Sequence, residues 1–280
     1  MFGQNIDYRF LRHFTRNNNI ATEGELDAKS PSIELERGIE KFQRHIELFE
    51  GHFPVSANLR YLDVGCGAGS LTLALAKIGC GDITAIDVVP RHIISASKVA
   101  SKSGLDDRVK FICQDACDFS PSQKYDVVMS FDALEHIRNP HDLIEQMHSW
   151  IDPKGVAILS FGPLFHSPFG GHLAEFFRFQ IPWCSTLFSE KAILRLRSEN
   201  FRPTDPATRY EDVVGGLNRM QYSSFLSYVK QAGWDIRFLR VNPTWKRSPH
   251  LYFLSQLMIR LPIIRDYFAG TVYAILKPAQ

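Results

Sequence analysis

Cysteine is scarce: Cys66, Cys80, Cys113, Cys117 and Cys184 are the only five in 280 residues. So few, and odd in number, exclude a disulfide scaffold and fit a reducing compartment. Cys113 and Cys117 stand four apart, but no second Cys or His pair completes a zinc-type spacing. Long hydrophobic runs are missing too. The most apolar stretch, Leu251 to Ile264, falls short of the ~20 residues a bilayer span requires and is interrupted by Gln256, Arg260 and Pro262. It reads as an amphipathic helix packed on the fold or, alternatively, as one lying weakly on a membrane surface. Charge of one sign is not in excess either. With 32 basic and 30 acidic residues the net charge is +2, which lacks the footprint of a nucleic-acid partner. The polar, basic start has no apolar signal core, so a cytoplasmic location is expected. No internal repeat or long low-complexity tract is visible.

What is present is an ordinary globular composition, 45% apolar and 22% charged, arranged in a regular alternation. Residues 1–57 read as an N-terminal arm and helix forming a lid. Ser30 caps the helix, Pro31 suits its first turn, Ile39, Phe42, Ile46 and Phe49 share one face, and Gly51 and Pro54 end it. From Asn58 short apolar runs (LRYLDV, ITAID, VKFIC, YDVVMS, VAILSF) alternate with helical stretches. Runs without polar alternation are strands buried on both faces. The pattern predicts an α/β fold with a doubly wound, mostly parallel sheet. Residues 58–161 form its core and 162–233 a helical insertion capping the site. Residues 234–280 hold the last two strands, Trp234 to Val241 and Thr271 to Lys277, around a smaller insertion at 242–269.

The sharpest signal is LDVGCGAGS, Leu62 to Ser70. A buried strand delivers Asp63, then Gly65, Gly67 and Gly69, then a helix. Glycine allows positive φ and close approach of a ligand to backbone. The helix start offers unpaired N–H groups to a carboxylate or phosphate. A dinucleotide fingerprint needs glycine at position 70, where this chain has Ser. Asp87, at the end of the second strand, is placed to accept from two ribose hydroxyls. Asp115 follows the third strand, where it either accepts from an adenine amino group or opens an Asx turn.

The segments LDVGCGAGS, AIDVVP, QDACDF and YDVVMSFDALEHI resemble the ordered motifs of class I S-adenosylmethionine-dependent methyltransferases. The last is similar to the branch containing the ubiquinone-biosynthesis O-methyltransferases. The resemblance covers about Asn58 to Phe161 and, more loosely, the last two strands. It implies seven strands, with the last antiparallel beside the fifth. It also implies S-adenosylmethionine as cofactor, contacted through Asp63, Gly65, Cys66, Gly67 and Gly69, then Asp87 and Val88, then Asp115, Ala116, Ser130 and Phe131. In the ubiquinone-type relatives, positions equivalent to Asp132, Glu135 and His136 are associated with a divalent metal. Asp132 stands where that pattern has Glu, a shorter arm.

Methyl transfer from a sulfonium is a displacement in which the protein mainly positions the acceptor and excludes water. Candidate bases are His136, just past the fourth strand, and His166 and His172, just past the fifth. The insertion is rich in aromatics (Phe165, Phe169, Phe176, Phe177, Phe179 and Trp183 among them), which either roof an apolar crevice or form the core of a small helical unit. Gly170-Gly171 and Gly215-Gly216 are candidate hinges, and Arg219 a candidate anion contact. The expected activity is O-methylation of a small molecule with an apolar or aromatic part. The alternatives are a non-catalytic S-adenosylmethionine-binding sensor or scaffold, or a nicotinamide-dependent oxidoreductase, which Ser70 disfavours. Ser130-Phe131-Asp132-Ala133 lacks the Asn/Asp-Pro-Pro-aromatic pattern of nucleic-acid amine methylation.

Overall fold

The structure, a computed structural model, describes residues 2–16, 31–173, 176–213, 216–243, 245 and 248–279. The helical cap at Ser30 and Gly215 of one hinge pair lie outside them. Seven strands form one sheet: β1 (Arg60–Val64), β2 (Asp82–Asp87), β3 (Val109–Cys113), β4 (Tyr125–Phe131), β5 (Ile151–Phe161), β6 (Trp234–Pro243) and β7 (Ala269–Pro278). Their order is β3-β2-β1-β4-β5-β7-β6. Only β7 runs antiparallel, paired with β5 through Ala157 and Leu276 and with β6 through Asp235 and Lys277. The order reverses at β1 and β4, so the crevice beyond their carboxyl ends is where an open α/β sheet takes ligand.

The expected strands appear because their apolar runs are covered on both faces. One face carries α2 (Pro31–Leu48), α3 (Ser70–Lys77) and α4 (Pro90–Lys102), whose Phe42, Leu73 and Val99 pack on Tyr61 and Val127. The other carries α5 (Pro140–Trp150) and α8 (Tyr222–Gln231), whose Met147 and Phe225 pack on Val128 and Leu159. β5 starts earlier than the sequence predicts. Ile151 pairs with Tyr125, the chain bulges, and pairing resumes at Val156 opposite Val127. The physical reason is that Ile151 is itself buried while Pro153 and Lys154 face outward.

A third core lies in the cap. It joins α1 (Phe2–His13), α6 (Cys184–Leu187) and α7 (Glu190–Asn200) with the intervening loops. Phe165, Phe176 and Phe177 are buried in it, so these rings build the unit itself, and Phe161 belongs to the sheet core. The N-terminal segment divides between two partners. α1 packs on α7, and Thr15 bridges to Phe177. α2 instead lies so close to α3 that a Cβ at Gly38 would sit 2.3 Å from the Ser70 carbonyl oxygen. Burying Tyr8 and Leu11 contributes roughly 1.5–3 kcal/mol each. The half-exposed Arg195–Glu199 pair beside them contributes about 0–1 kcal/mol, so packing rather than charge holds α1 to the cap. α9 (Pro249–Ile259) precedes β7. Among the described residues, no helix is long and apolar enough to cross a membrane.

Candidate active site

The glycine loop leaves β1 and enters α3. Gly65, Gly67 and Gly69 all have positive φ. Two of them meet different requirements. A Cβ at Gly65 would lie 2.5 Å from that of Ala133, whereas one at Gly67 would meet nothing within 4 Å. The first glycine lets the loop press against the turn after β4, and the second leaves open space above the backbone. The Gly65 and Cys66 N–H groups donate to the Ile86 carbonyl, tying the loop to β2. α3 has no side-chain cap and no acid in its first turn, so its positive end is unneutralised and suits an anionic group. Cys66 is partly buried, and desolvation pushes its thiol upward.

Asp63 is buried at the end of β1 and accepts from Thr72 Oγ1 at 2.5 Å. Desolvation raises it to about 6, against the opposing pull of Thr72 and Lys41. Asp87 accepts the Gly67 N–H at 2.8 Å through Oδ2 and the Val89 N–H at 2.9 Å through Oδ1, with His92 Nδ1 at 3.2 Å. A carboxylate has about four acceptor sites, so Asp87 both fixes the loop and retains capacity toward the crevice. Val88 beside it is an exposed apolar side chain. Asp115 forms the Asx turn, accepting the Cys117 N–H at 2.9 Å, and stays exposed; Ala116 is buried behind it. Ser130 is wholly buried, and its Oγ has no hydrogen-bond partner among the described residues. Phe131 departs from expectation. Its ring turns away from the crevice into the face covered by α2, stacked on Phe53 and edge-on to His45 and Phe49.

The expected trio Asp132, Glu135 and His136 is not assembled. Asp132 adopts positive φ, takes the Ser160 hydroxyl at 3.2 Å and pairs with Lys41 of α2 at 3.0 Å. The third position is taken by His172: donor atoms of Glu135, His136 and His172 all lie within 4.8 Å of one another. Glu135 is buried, with Oε1 accepting the Gly162 N–H and Oε2 unpartnered. Desolvation holds its carboxyl well above the usual carboxylate range, opposed by the neighbouring His136. His136 Nδ1 lies 2.8 Å from the Gly216 carbonyl. A carbonyl only accepts, so Nδ1 carries the proton and Nε2 keeps its lone pair. The His172 ring centroid is 5.1 Å from that of His136. Desolvation, then His136, push His172 down to about 4, leaving it a neutral imidazole facing the cavity. His166 is apart from this pair, bonded to Thr186 Oγ1 at 3.1 Å and beside Tyr267.

His136 and His172 open onto a cavity of about 200 Å³ between the turn and the cap, walled by Leu173, Phe176 and Leu217 and edged by Arg202. The cap is fastened there by Asn218, whose amide donates to the carbonyls of Leu134 and Ile137 at 2.6 and 2.7 Å. At Gly170 a Cβ would meet two carbonyl oxygens at 2.2 and 2.3 Å, so close packing of backbone requires the glycine there. Arg219 is committed to Glu190 at 2.6 Å and is not a free anion contact.

Residues 55–169 match the family model described as a methyltransferase domain. Over these residues the chain is similar to a methyltransferase domain. The ubiquinone biosynthesis O-methyltransferase of Rickettsia felis is 33% identical over 115 residues, 41% of this chain and 46% of the relative. The mitochondrial ubiquinone biosynthesis O-methyltransferase of Arabidopsis thaliana is 28% identical over 103 residues, 36% and 32% of the two chains. The match spans less than half of these curated relatives. Among solved structures, a putative S-adenosylmethionine-dependent methyltransferase from Listeria monocytogenes is similar with TM-score 0.55 at 13% identity, over 84% of this chain and 98% of the other. The [4+2]-cyclase SpnF is similar with TM-score 0.54 at 16% identity, over 100% and 96%. These likenesses establish the Rossmann-like methyltransferase fold. The cyclase shows that the fold alone does not assign the reaction.

Four residues that hold the crevice together escaped the sequence reading: Lys41, Thr72, His92 and Ser160. Thr72 and His92 had a local signal, since each sits in the first turn of the helix following its acid. Lys41 and Ser160 had none.

Proposed function

We propose that the protein is an S-adenosylmethionine-dependent methyltransferase that methylates an oxygen of a small molecule with an apolar or aromatic part. The observation that carries this reading is the Gly65–Gly69 loop, open above Gly67 and hooked by Asp87. In it, the loop and the start of α3 take the methionine carboxylate, Asp87 the ribose hydroxyls, and Asp115, Ala116 and Val88 the adenine. The cofactor supplies an activated methyl on a sulfonium. The protein's part is orientation, worth about 7–11 kcal/mol of barrier when geometry is good, and proton removal, worth roughly 10²–10⁴-fold. His136 Nε2 accepts the acceptor's hydroxyl proton, and the neutral His172 keeps a second positive charge away from it. Leu173, Phe176 and Leu217 exclude water around the acceptor's apolar part.

The orphaned Glu135 Oε2 fits a divalent cation held by Glu135, His136 and His172, with Asp132 outside the set. Such a cation would occupy the His136 Nε2 lone pair, so it would take the place of His136 as base by acidifying a bound hydroxyl. The test is a panel of phenols, quinol precursors, sugars and carboxylic acids incubated with S-adenosylmethionine, with and without chelator, reading S-adenosylhomocysteine. Acceptor-dependent product is expected from the phenolic members. Cofactor binding without turnover on the whole panel would favour the non-catalytic binder instead.

A further inference from the structure

We infer that this protein docks on an anionic lipid bilayer through a face formed by α9, the loop after it and the outer side of the cap. Monomeric surfaces scatter single apolar residues but rarely gather them. Here Phe253 is 74% and Ile263 92% exposed, with Leu251, Leu254, Leu257 and Leu261 also exposed around them. Helix α9 and its following turn are therefore apolar on the outside, where a helix serving only the fold would be polar. The patch continues across the cap. Trp183 donates through Nε1 to the Tyr267 carbonyl and packs on Trp245 and Phe268. From Trp183 the chain runs to Leu187, 67% exposed, and Phe188, which stacks on Phe10 of α1; Ile6 of the same helix is 66% exposed. Indole and phenol rings at the margin of an apolar face are the arrangement that suits a headgroup layer.

Charge selects the occupant. The sequence from Trp245 to Arg265 contains Lys246, Arg247, Arg260 and Arg265 and no Asp or Glu. Beside the α1 end of the patch, an open groove of about 690 Å³ is lined by Arg9, Arg12, His13, Arg178 and Arg195. An apolar face rimmed by arginines matches acyl chains below and anionic headgroups around it, at about 1 kcal/mol per basic residue. A second copy of the chain would bring the same arginines against each other. His166 touches Tyr267 and Thr186, so this face adjoins the cap loop that carries His172 further along the chain. A consequence, which rests on the methyltransferase reading, is that an apolar acceptor reaches the site from the bilayer.

The experiment uses the full chain and vesicles of phosphatidylcholine alone or mixed with phosphatidylglycerol, in a sedimentation assay needing no methyl acceptor. The protein is expected to sediment with the mixed vesicles, less with the neutral ones, and to be released by salt. The double variant F253E/I263E should lose this binding more than about tenfold, while its S-adenosylhomocysteine affinity and that of the control Ile78→Glu stay unchanged. A wild type that remains in the supernatant with anionic vesicles overturns the proposal. So does binding indifferent to F253E/I263E, or a concentration-dependent dimer that the double variant abolishes while vesicles are ignored. None of these results bears on whether methyl transfer occurs.

Discussion

The glycine loop and the cap face each other across the same crevice but are held by different physics. The loop is a backbone device. Its three left-handed glycines, its N–H bonds to Ile86 and its hook to Asp87 all lie within one βαβ unit. The cap is a side-chain device. Asn218 reaches 84 residues back to Leu134, and Arg197 reaches the buried Asp205. A backbone device tolerates change in its surroundings, whereas a side-chain device fails when one partner is removed. Cofactor binding and acceptor binding are therefore separable by mutation.

The largest expected effect is in the cap. Asp205→Ala strands the buried Arg197 guanidinium and should cost about 3–5 kcal/mol of cap stability. Limited proteolysis should cut the cap while S-adenosylhomocysteine affinity stays within about threefold; equal loss of both would erase the contrast. The next concerns pH. Asp63 is raised from 3.8 to about 6, so the folded state binds its proton more tightly than the unfolded chain. That stabilising contribution, about 3 kcal/mol, is complete only below about pH 3 and is lost as pH rises through about 6. The Asp63→Asn variant does not titrate, so denaturant unfolding should find it gaining about 2 kcal/mol on the wild type between about pH 4 and pH 7. A difference independent of pH would contradict the burial argument. The smallest is Asn218→Ala, which leaves the Leu134 and Ile137 carbonyls without this donor. It should cost about 1–3 kcal/mol and lower kcat more than cofactor affinity, measured by steady-state kinetics.

The same contrast explains what was legible beforehand. The five parallel strands, their helices and the loop follow from apolar runs and glycine spacing, which act over a few residues. Asp87 was legible for the same reason, and the antiparallel seventh strand came with the family resemblance. His172 in place of Asp132 beside Glu135 was not. That exchange depends on Lys41 drawing Asp132 toward α2 and on a loop returning His172 from the cap. The direction of the Phe131 ring was not legible, because period-two alternation along β4 says that neighbours face opposite ways, not which face α2 will cover. For the aromatics of the insertion the sequence left two readings open, the roof of a crevice or the core of a small helical unit, and choosing between them needed α1 from the far end of the chain.

In the proposed function the main chain from Gly65 to Gly69, set by Asp87, holds the sulfonium nucleoside. Titration calorimetry of S-adenosylhomocysteine into the wild type and Asp87→Ala tests it most directly. One site per chain is expected in the wild type and an affinity weaker by about 1–3 kcal/mol in the variant. No heat with the wild type, or equal affinity in both, would contradict it.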